Sequence, residues 1–378
     1  MLKMPRKYAA ILTRGDRMDE AYESEPCRRK ARRRRRRMAA LLAMCFCCAV
    51  AAQPAYAVES GEKVVSTASA AVRSVIPVGH TVGIKLFSDG LLVVNLSEST
   101  DGKGNVSPAR SCGIKTGDLL LEMNDEDLKS TEQLQAALQK NGDQPVSLTV
   151  KRGSKTLSLT TTPVSGSVGV YRLSAWVRDS MAGIGTMTYY NPQTGTFGAL
   201  GHGITDVDTA QLMPVSSGSL MPSTVAEVKK GEKGTPGELT GEFETTVELG
   251  TLQCNSESGV FGKLTDTSLV VGEPVPVACR EEVRCGKATI LCNVDGDDVE
   301  EFSIKITKIM ENGEGGRDMM IRVTDDRLLS KTGGIVQGMS GSPILQNGKI
   351  VGAVTHVLVS DSSRGYAILM ETMLANET

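Results

Sequence analysis

The chain has 378 residues, with 42 Lys+Arg against 44 Asp+Glu and 40% hydrophobic residues. That is enough chain for two or three domains, and too little apolar sequence for a polytopic membrane protein. Its 40 glycines and 4% aromatics, spread over many short apolar stretches, point to turn-rich β structure.

The net charge of −2 conceals a division. Residues 1–57 carry 14 Lys+Arg and 5 Asp+Glu, whereas residues 58–378 carry 28 and 39. Six arginines, Arg32 to Arg37, precede the run MAALLAMCFCCAVAA and the small-x-small end Ala55-Tyr56-Ala57. A basic stretch, an apolar stretch of about 15 residues and such an end are the parts of an export signal. A spanning helix needs about 20 apolar residues. The segment is therefore expected to act as a signal peptide or, with its flanking residues, as a membrane anchor. Arginines placed before the run agree with the positive-inside rule. The acidic remainder argues against nucleic acid as a partner, because phosphate contacts need basic surface.

Beyond residue 57 five cysteines remain: Cys112, Cys254, Cys279, Cys285 and Cys292. An odd, unevenly spaced set is no disulfide framework. They read as isolated buried thiols, with one bridge inside the 254–292 group as the other reading. With no C-x-x-C among these five and only three histidines, neither a metal site nor a cofactor is expected.

Residues 58–75 are small and polar and read as a linker. Residues 76–163 read as one unit. Gly90-Leu91-Leu92-Val93-Val94 is a short buried strand, and Leu119-Leu120-Leu121-Glu122-Met123 is another, closed by a turn at Asn124-Asp125. Ser130 with Gln133 makes a capping box for a helix whose apolar stripe is Leu134, Ala137 and Leu138. Val146, Leu148 and Val150 alternate, Arg152-Gly153-Ser154 turns, and Leu157 and Leu159 alternate back, which predicts a hairpin. This order resembles a PDZ domain, most specifically through Ala109, Gly113, Ile114, Gly117, Asp118, Leu119 and Asn124. The resemblance implies that the helix forms one wall of a peptide groove. It also places the carboxylate-binding loop at Val82-Gly83-Ile84, where backbone N–H groups would cap a peptide C-terminus.

From 168 to 378 the pattern is short strands between glycine turns, without a long amphipathic helix. Some 210 residues of this kind suit a barrel or a pair of barrels. Asn293 to Asp298 lacks the glycine and closing glutamate of a calcium loop and reads as a solvated turn.

The chemistry concentrates in Gln337-Gly338-Met339-Ser340-Gly341-Ser342-Pro343, followed by the strand Ile344-Leu345. A nucleophilic serine needs a tight turn and nearby N–H groups for the oxyanion. Glycines at 338 and 341 allow the N–H groups of Gly338 and Ser340 to converge. The segment differs from the nucleophile elbow of α/β-hydrolases, because position 342 is Ser and a strand follows. His202, between Gly201 and Gly203 at a strand end with little expected to pack around it, is favoured as general base. His356, among apolar residues in Ala353-Val354-Thr355-His356-Val357-Leu358, reads as a core or pocket-lining side chain. Asp206, Asp208, Asp325 and Asp326 are all candidates for the acid that holds the imidazole, and spacing does not choose among them.

Taken together, GALGHGI, the TDD before the serine, and GGIVQGMSGSPILQNGKIVGAVTHV resemble the SpoIVB peptidase family, stage IV sporulation protein B of endospore-forming bacteria. The resemblance places the catalytic histidine on His202, the serine on Ser340 and the acid on Asp325. It implies a mainly β fold, a PDZ domain followed by a chymotrypsin-like double-barrel serine peptidase domain. It further implies export to the forespore–mother cell intermembrane space and self-cleavage. The substrate would be a membrane-bound sporulation regulator, whose cleavage releases an intramembrane protease that processes a late sigma factor precursor. Asp325 lies only 15 residues before Ser340, so it would have to come from the second barrel. The competing reading is a non-catalytic PDZ scaffold of the cell envelope. A housekeeping protease of the high-temperature-requirement type is disfavoured, since that family places its protease before its PDZ domains.

Overall fold

Alternating strands with one dry face need a partner surface, and here they find it by closing into barrels. The structure is a computed structural model that describes residues 73–100, 105–165, 169–311, 313 and 315–377. The expected export segment, 1–57, and all but the end of the expected linker lie outside the described residues. No helix among the described residues is long and apolar enough to cross a membrane.

The elements that build the first barrel and the PDZ unit include, in chain order, β1 (Thr81–Leu96), α1 (Pro108–Ser111), β2 (Leu119–Met123) and α2 (Thr131–Asn141). The strands β3 (Val146–Arg152), β4 (Lys155–Thr161) and β5 (Ala175–Asn191) follow. Next come β6 (Thr196–Ala199), β7 (Ser217–Lys229), β8 (Gly250–Ser256) and β9 (Gly259–Leu264). Six of these strands form a closed antiparallel ring. β1 pairs with β5, β5 with β6, β6 with β9, β9 with β8, β8 with β7, and β7 with β1. Val82, Ile84 and Leu86 of β1 fill this ring together with Met187, Phe197, Leu220, Leu252 and Val260.

The second barrel is β10 (Gly286–Asp295), β11 (Asp298–Ile309), β12 (Met319–Val323), β13 (Pro343–Gln346), β14 (Lys349–Val357) and β15 (Arg364–Leu369). In β11 the residues Phe302, Ile304 and Ile306 are buried while Ser303, Lys305 and Thr307 are exposed. Each buried side chain of that size contributes about 1.5–3 kcal/mol. The turn at Asn293–Asp298 closes the β10–β11 hairpin. Asn293 Nδ2 donates to the carbonyls of Asp295, Gly296 and Asp298. The double barrel expected from the sequence is therefore present.

The PDZ unit sits between β1 and β5. Its core joins Leu91, Val93, Ala109, Ile114, Leu120, Met123, Leu134, Leu138, Leu148 and Val150 to Leu173. Asp118 is buried and takes a two-pronged grip from Arg152 Nε and Nη2, both at 2.7 Å, and the Lys115 N–H at 2.8 Å. Ser130 Oγ accepts the Gln133 N–H, as expected of a capping box. The reciprocal bond goes one residue earlier, from the Lys129 N–H to Gln133 Oε1.

The expected units 76–163 and 168–378 share strands. Residues 82–87 of β1 pair with β5 and β7 in the first barrel, whereas Leu91 and Leu92 pair with β2 of the PDZ unit. At the other end the PDZ core extends past 163 to Leu173, with Ala175 and Val177 of β5 packed against it. The PDZ unit is thus inserted into the first barrel after that barrel's first strand.

All five described cysteines are free. Cys292 is buried, and burial pushes its thiol up. Cys279 and Cys285 are exposed, which departs from the expectation of buried thiols.

Candidate active site

The serine loop enters from α3 (Asp326–Thr332) and leaves into β13. Ser340 is nearly buried, at 9% exposure. Gly341 has φ +100°, and a Cβ there would lie 2.0 Å from the Thr186 carbonyl oxygen and 2.6 Å from the Leu200 nitrogen. The loop is therefore pressed against Thr186 of β5 and the residue two before His202, and only glycine fits.

The loop's carbonyls from Gln337 to Ser340 are each held. Gln337 O accepts from the Leu239 N–H at 2.8 Å, and Gly338 O from Thr186 Oγ1 at 2.8 Å. Met339 O accepts from the Ser342 N–H at 3.0 Å and the Ser342 hydroxyl at 2.7 Å. Ser340 O accepts from the Thr186 N–H at 2.9 Å. The Met339 N–H goes to Val336 O and the Gly341 N–H to Val354 O. Among the described residues, the N–H groups of Gly338 and Ser340 take no backbone partner. Gly338 has φ +97°, which glycine alone adopts cheaply. Two free N–H groups one residue apart, beside a serine, are suited to stabilise an oxyanion.

His202 follows β6 and is 5% exposed, so it is buried, contrary to the expectation of an unpacked strand end. Its glycines are there for close packing: a Cβ on Gly203 would meet Leu212 Cδ1 at 2.3 Å and Ser256 O at 2.7 Å. His202 Nδ1–H donates to the Gly203 carbonyl at 2.9 Å. A carbonyl only accepts, so in the neutral ring Nδ1 carries the proton and Nε2 keeps its lone pair. Nε2 is buried without a hydrogen-bond partner. Burial lowers the His202 pKa and the Gly203 carbonyl offsets part of that, so the ring is held in its basic, neutral form.

His356, on β14, lies against His202, with ring centroids 4.9 Å apart. The sequence reading had set it aside as a core or pocket side chain. Its place follows from its neighbour, because the Ser340 hydroxyl donates to the Thr355 carbonyl at 2.7 Å. The second barrel thus brings Ser340, Thr355 and His356 together, and the first barrel supplies His202. In the structure the Ser340 hydroxyl rests on Thr355 O.

Asp325 is not brought to His202. It is the N-cap of α3, where Oδ1 accepts the Arg327 N–H at 3.0 Å and Arg327 Nε at 3.1 Å. Its Oδ2 accepts the Ser303 N–H at 3.1 Å and Arg327 Nη2 at 3.1 Å. Arg327 holds the Asp325 carboxyl below its usual range, with the Ser303 and Arg327 N–H groups adding to the effect. The role the resemblance implied is corrected accordingly: the helix cap and Arg327 Nε occupy Oδ1, and Ser303 and Arg327 Nη2 occupy Oδ2. Asp326 is the first residue of the same helix. Asp206 is fully buried, ion-paired with Arg178, and takes the Thr209 N–H and hydroxyl and the Asp208 N–H on Oδ1. Asp208 meets the same Arg178 at 3.0 Å. The orienting bond on His202 comes from the Gly203 carbonyl, a backbone group that no residue-type motif reveals.

Val82, Gly83 and Ile84 are not a carboxylate-binding loop. They lie mid-strand in β1, with Gly83 opposite Ile184 on one side and Met221 on the other, so both ladder edges are occupied. The segment tied to α2 is instead Tyr171–Asp179. The Thr131 N–H and hydroxyl donate to Asp179 Oδ2 at 2.8 and 2.9 Å, and Gln135 Nε2 donates to Tyr171 O at 3.3 Å.

The family model for SpoIVB peptidase S55 matches residues 169–374, and a PDZ domain model matches residues 106–152. No curated protein matches the chain. The PDZ domain of the SdrC-like protein from Listeria monocytogenes is similar at 19% identity, covering 24% of this chain and 87% of that one, with a TM-score of 0.20. The Rv3671c protease from M. tuberculosis in its active form is similar at 14% identity, covering 52% and 75%, with a TM-score of 0.31. The HtrA-type protease AlgW shows 12% identity over 59% of this chain and 53% of that one, with a TM-score of 0.29. With a pair of β-barrels, an inserted PDZ domain and more than half its length matched, the chain belongs to the SpoIVB peptidase S55 family and is a serine endopeptidase.

Proposed function

We propose that Ser340 is the nucleophile and His202 the general base of an exported serine endopeptidase of sporulation signalling. In this reading it cleaves itself and a membrane-bound regulatory protein, and so triggers processing of a late sigma factor precursor. The observation that carries the catalytic reading is the pairing of a buried, unpartnered His202 Nε2 with a serine loop whose spare backbone donors are the N–H groups of Gly338 and Ser340.

The chemistry follows from those groups. Ser340 turns from Thr355 O, passes its proton to His202 Nε2 and attacks the substrate carbonyl. Charge develops on that carbonyl oxygen, and the two N–H groups receive it. The imidazolium then returns the proton to the leaving amine, and water repeats the sequence on the acyl-enzyme. Gly203 O keeps the imidazole in the required tautomer throughout, a task usually given to a carboxylate.

The sporulation role and export rest on the family resemblance and on the basic and apolar segment at 1–57. The PDZ domain supports selection of protein C-termini. We assign that groove to α2 and the Tyr171–Asp179 segment rather than to Val82–Ile84. The excess of acidic residues in 58–378 suits a cationic juxtamembrane stretch on the substrate.

The test is self-cleavage and fluorophosphonate labelling of the full chain, with N-terminal sequencing of the products. Wild type is expected to label and to process. Ser340→Ala and His202→Ala are expected to do neither. Undiminished processing in both variants would remove the catalytic assignment and favour a PDZ scaffold.

A further inference from the structure

The oxyanion reading raises the question of what keeps the loop's carbonyls out of the pocket. Four consecutive carbonyls, from Gln337 to Ser340, are each bonded. One residue from outside the loop holds two of them. Thr186, on β5 and 1% exposed, donates its hydroxyl to Gly338 O at 2.8 Å and its N–H to Ser340 O at 2.9 Å.

These bonds bracket the nucleophile. The peptide unit after Gly338 is fixed by Thr186 Oγ1 at its oxygen and Val336 O at the Met339 N–H. The unit after Ser340 is fixed by the Thr186 N–H at its oxygen and Val354 O at the Gly341 N–H. Between them lies the unit that carries the Ser340 N–H. Gly338 at φ +97° has no side chain to restrain it, so without the hydroxyl its carbonyl would be buried, unpaired and free to rotate. A carbonyl turned inward would repel a developing oxyanion.

We propose that Thr186 is a positioning residue for the peptidase reaction, whose hydroxyl locks the oxyanion loop with its N–H groups free. The inference rests on the assignment of Ser340 as nucleophile. Its effect falls on the transition state, because the two N–H groups are needed most when negative charge has formed. Only Ser or Thr supplies the hydroxyl at this position. Valine matches the shape of threonine and keeps the backbone bond to Ser340 O.

The experiment uses full-length enzyme and, as substrate in trans, the full-length Ser340→Ala chain. Active sites are counted with a fluorophosphonate, whose phosphoryl oxygen also uses the oxyanion donors. Thr186→Val is expected to lower kcat per titrated site by about tenfold or more, with KM within about twofold, and to slow labelling in parallel. Thr186→Ser is expected to restore both to within about threefold. If Thr186→Val does not fold, Thr186→Ala carries the same comparison against Thr186→Ser. A kcat and labelling rate per folded site within twofold of wild type in the hydroxyl-free variant would overturn the inference. So would a loss confined to the fraction of folded protein. Labelling that persists in Ser340→Ala would instead overturn the underlying assignment of the nucleophile.

Discussion

His202 and His356 come from different barrels and meet at the seam, their ring planes tilted by 35°. Among the described residues neither ring takes a carboxylate as hydrogen-bond partner: one is oriented by a carbonyl, and the other packs against the first. On the proposed assignment of His202 as base, His356 serves as a wall for it rather than as a second proton acceptor. His356→Phe, which keeps a flat ring, is expected to leave turnover within about threefold. His356→Ala opens space beside His202 and is expected to cost about ten- to hundredfold, since small misplacements of a base are costly. Steady-state assays of the two variants decide this, and equal losses in both would contradict the packing role.

The pH profile should carry the mark of a buried base. Burial lowers the His202 pKa from its ordinary 6.5. The base works only when neutral, so activity should rise with pH along a limb whose midpoint lies below 6.5. A kcat/KM profile with its acid midpoint above 6.5 would show that His202 is not buried as described.

Stability should respond to His356. Burial first, then His202 and Arg317, holds it down to about 3. Its unfolded value is about 6.5, so between those values the unfolded chain binds more protons than the folded one. Stability from this group is present above pH 6.5 and is lost as pH falls toward 3. Urea midpoints at pH 7 and pH 5 are expected to differ less in His356→Phe than in wild type. An unchanged difference would exclude His356 as the source.

Asp325 separates two accounts of the acid. As a helix cap bound to Arg327, its loss should destabilise the protein by about 1 kcal/mol and leave kcat nearly intact. As a triad acid, its loss would lower kcat by about 10⁴-fold. Denaturation and turnover measured on Asp325→Ala distinguish them.

Much of this was legible beforehand because it is local. A glycine-framed serine before a strand, an alternating hairpin and a capped helix each announce themselves within a dozen residues. Strand density pointed to a barrel or a pair of barrels, and the family resemblance chose the pair. What escaped was long-range. Val82, Ile84 and Leu86 alternate as a barrel wall does, but nothing near them says that their partners lie at 180–186 and 217–222. The same blindness hid Thr186, whose hydroxyl acts on a residue more than 150 positions away. Asp325 carried a missed local signal: an aspartate ahead of Asp326-Arg327-Leu328-Leu329 is an ordinary helix start.

The insertion of the PDZ unit has a practical corollary. The chain leaves the first barrel after Phe87 and returns at Ser180, and those two residues are direct partners across the β1–β5 ladder. Opposed residues in an antiparallel pair lie only about 5 Å apart. A whole domain therefore hangs from a gap that a two-residue turn can span, as though the tip of a hairpin had been enlarged. Replacing residues 88–179 by Asn-Gly should leave a closed barrel with the hairpin restored. Such a miniature would separate scissors from handle. Cleavage by it would mean that the barrels alone suffice for chemistry, and its failure to fold would mean that the PDZ domain is part of the scaffold.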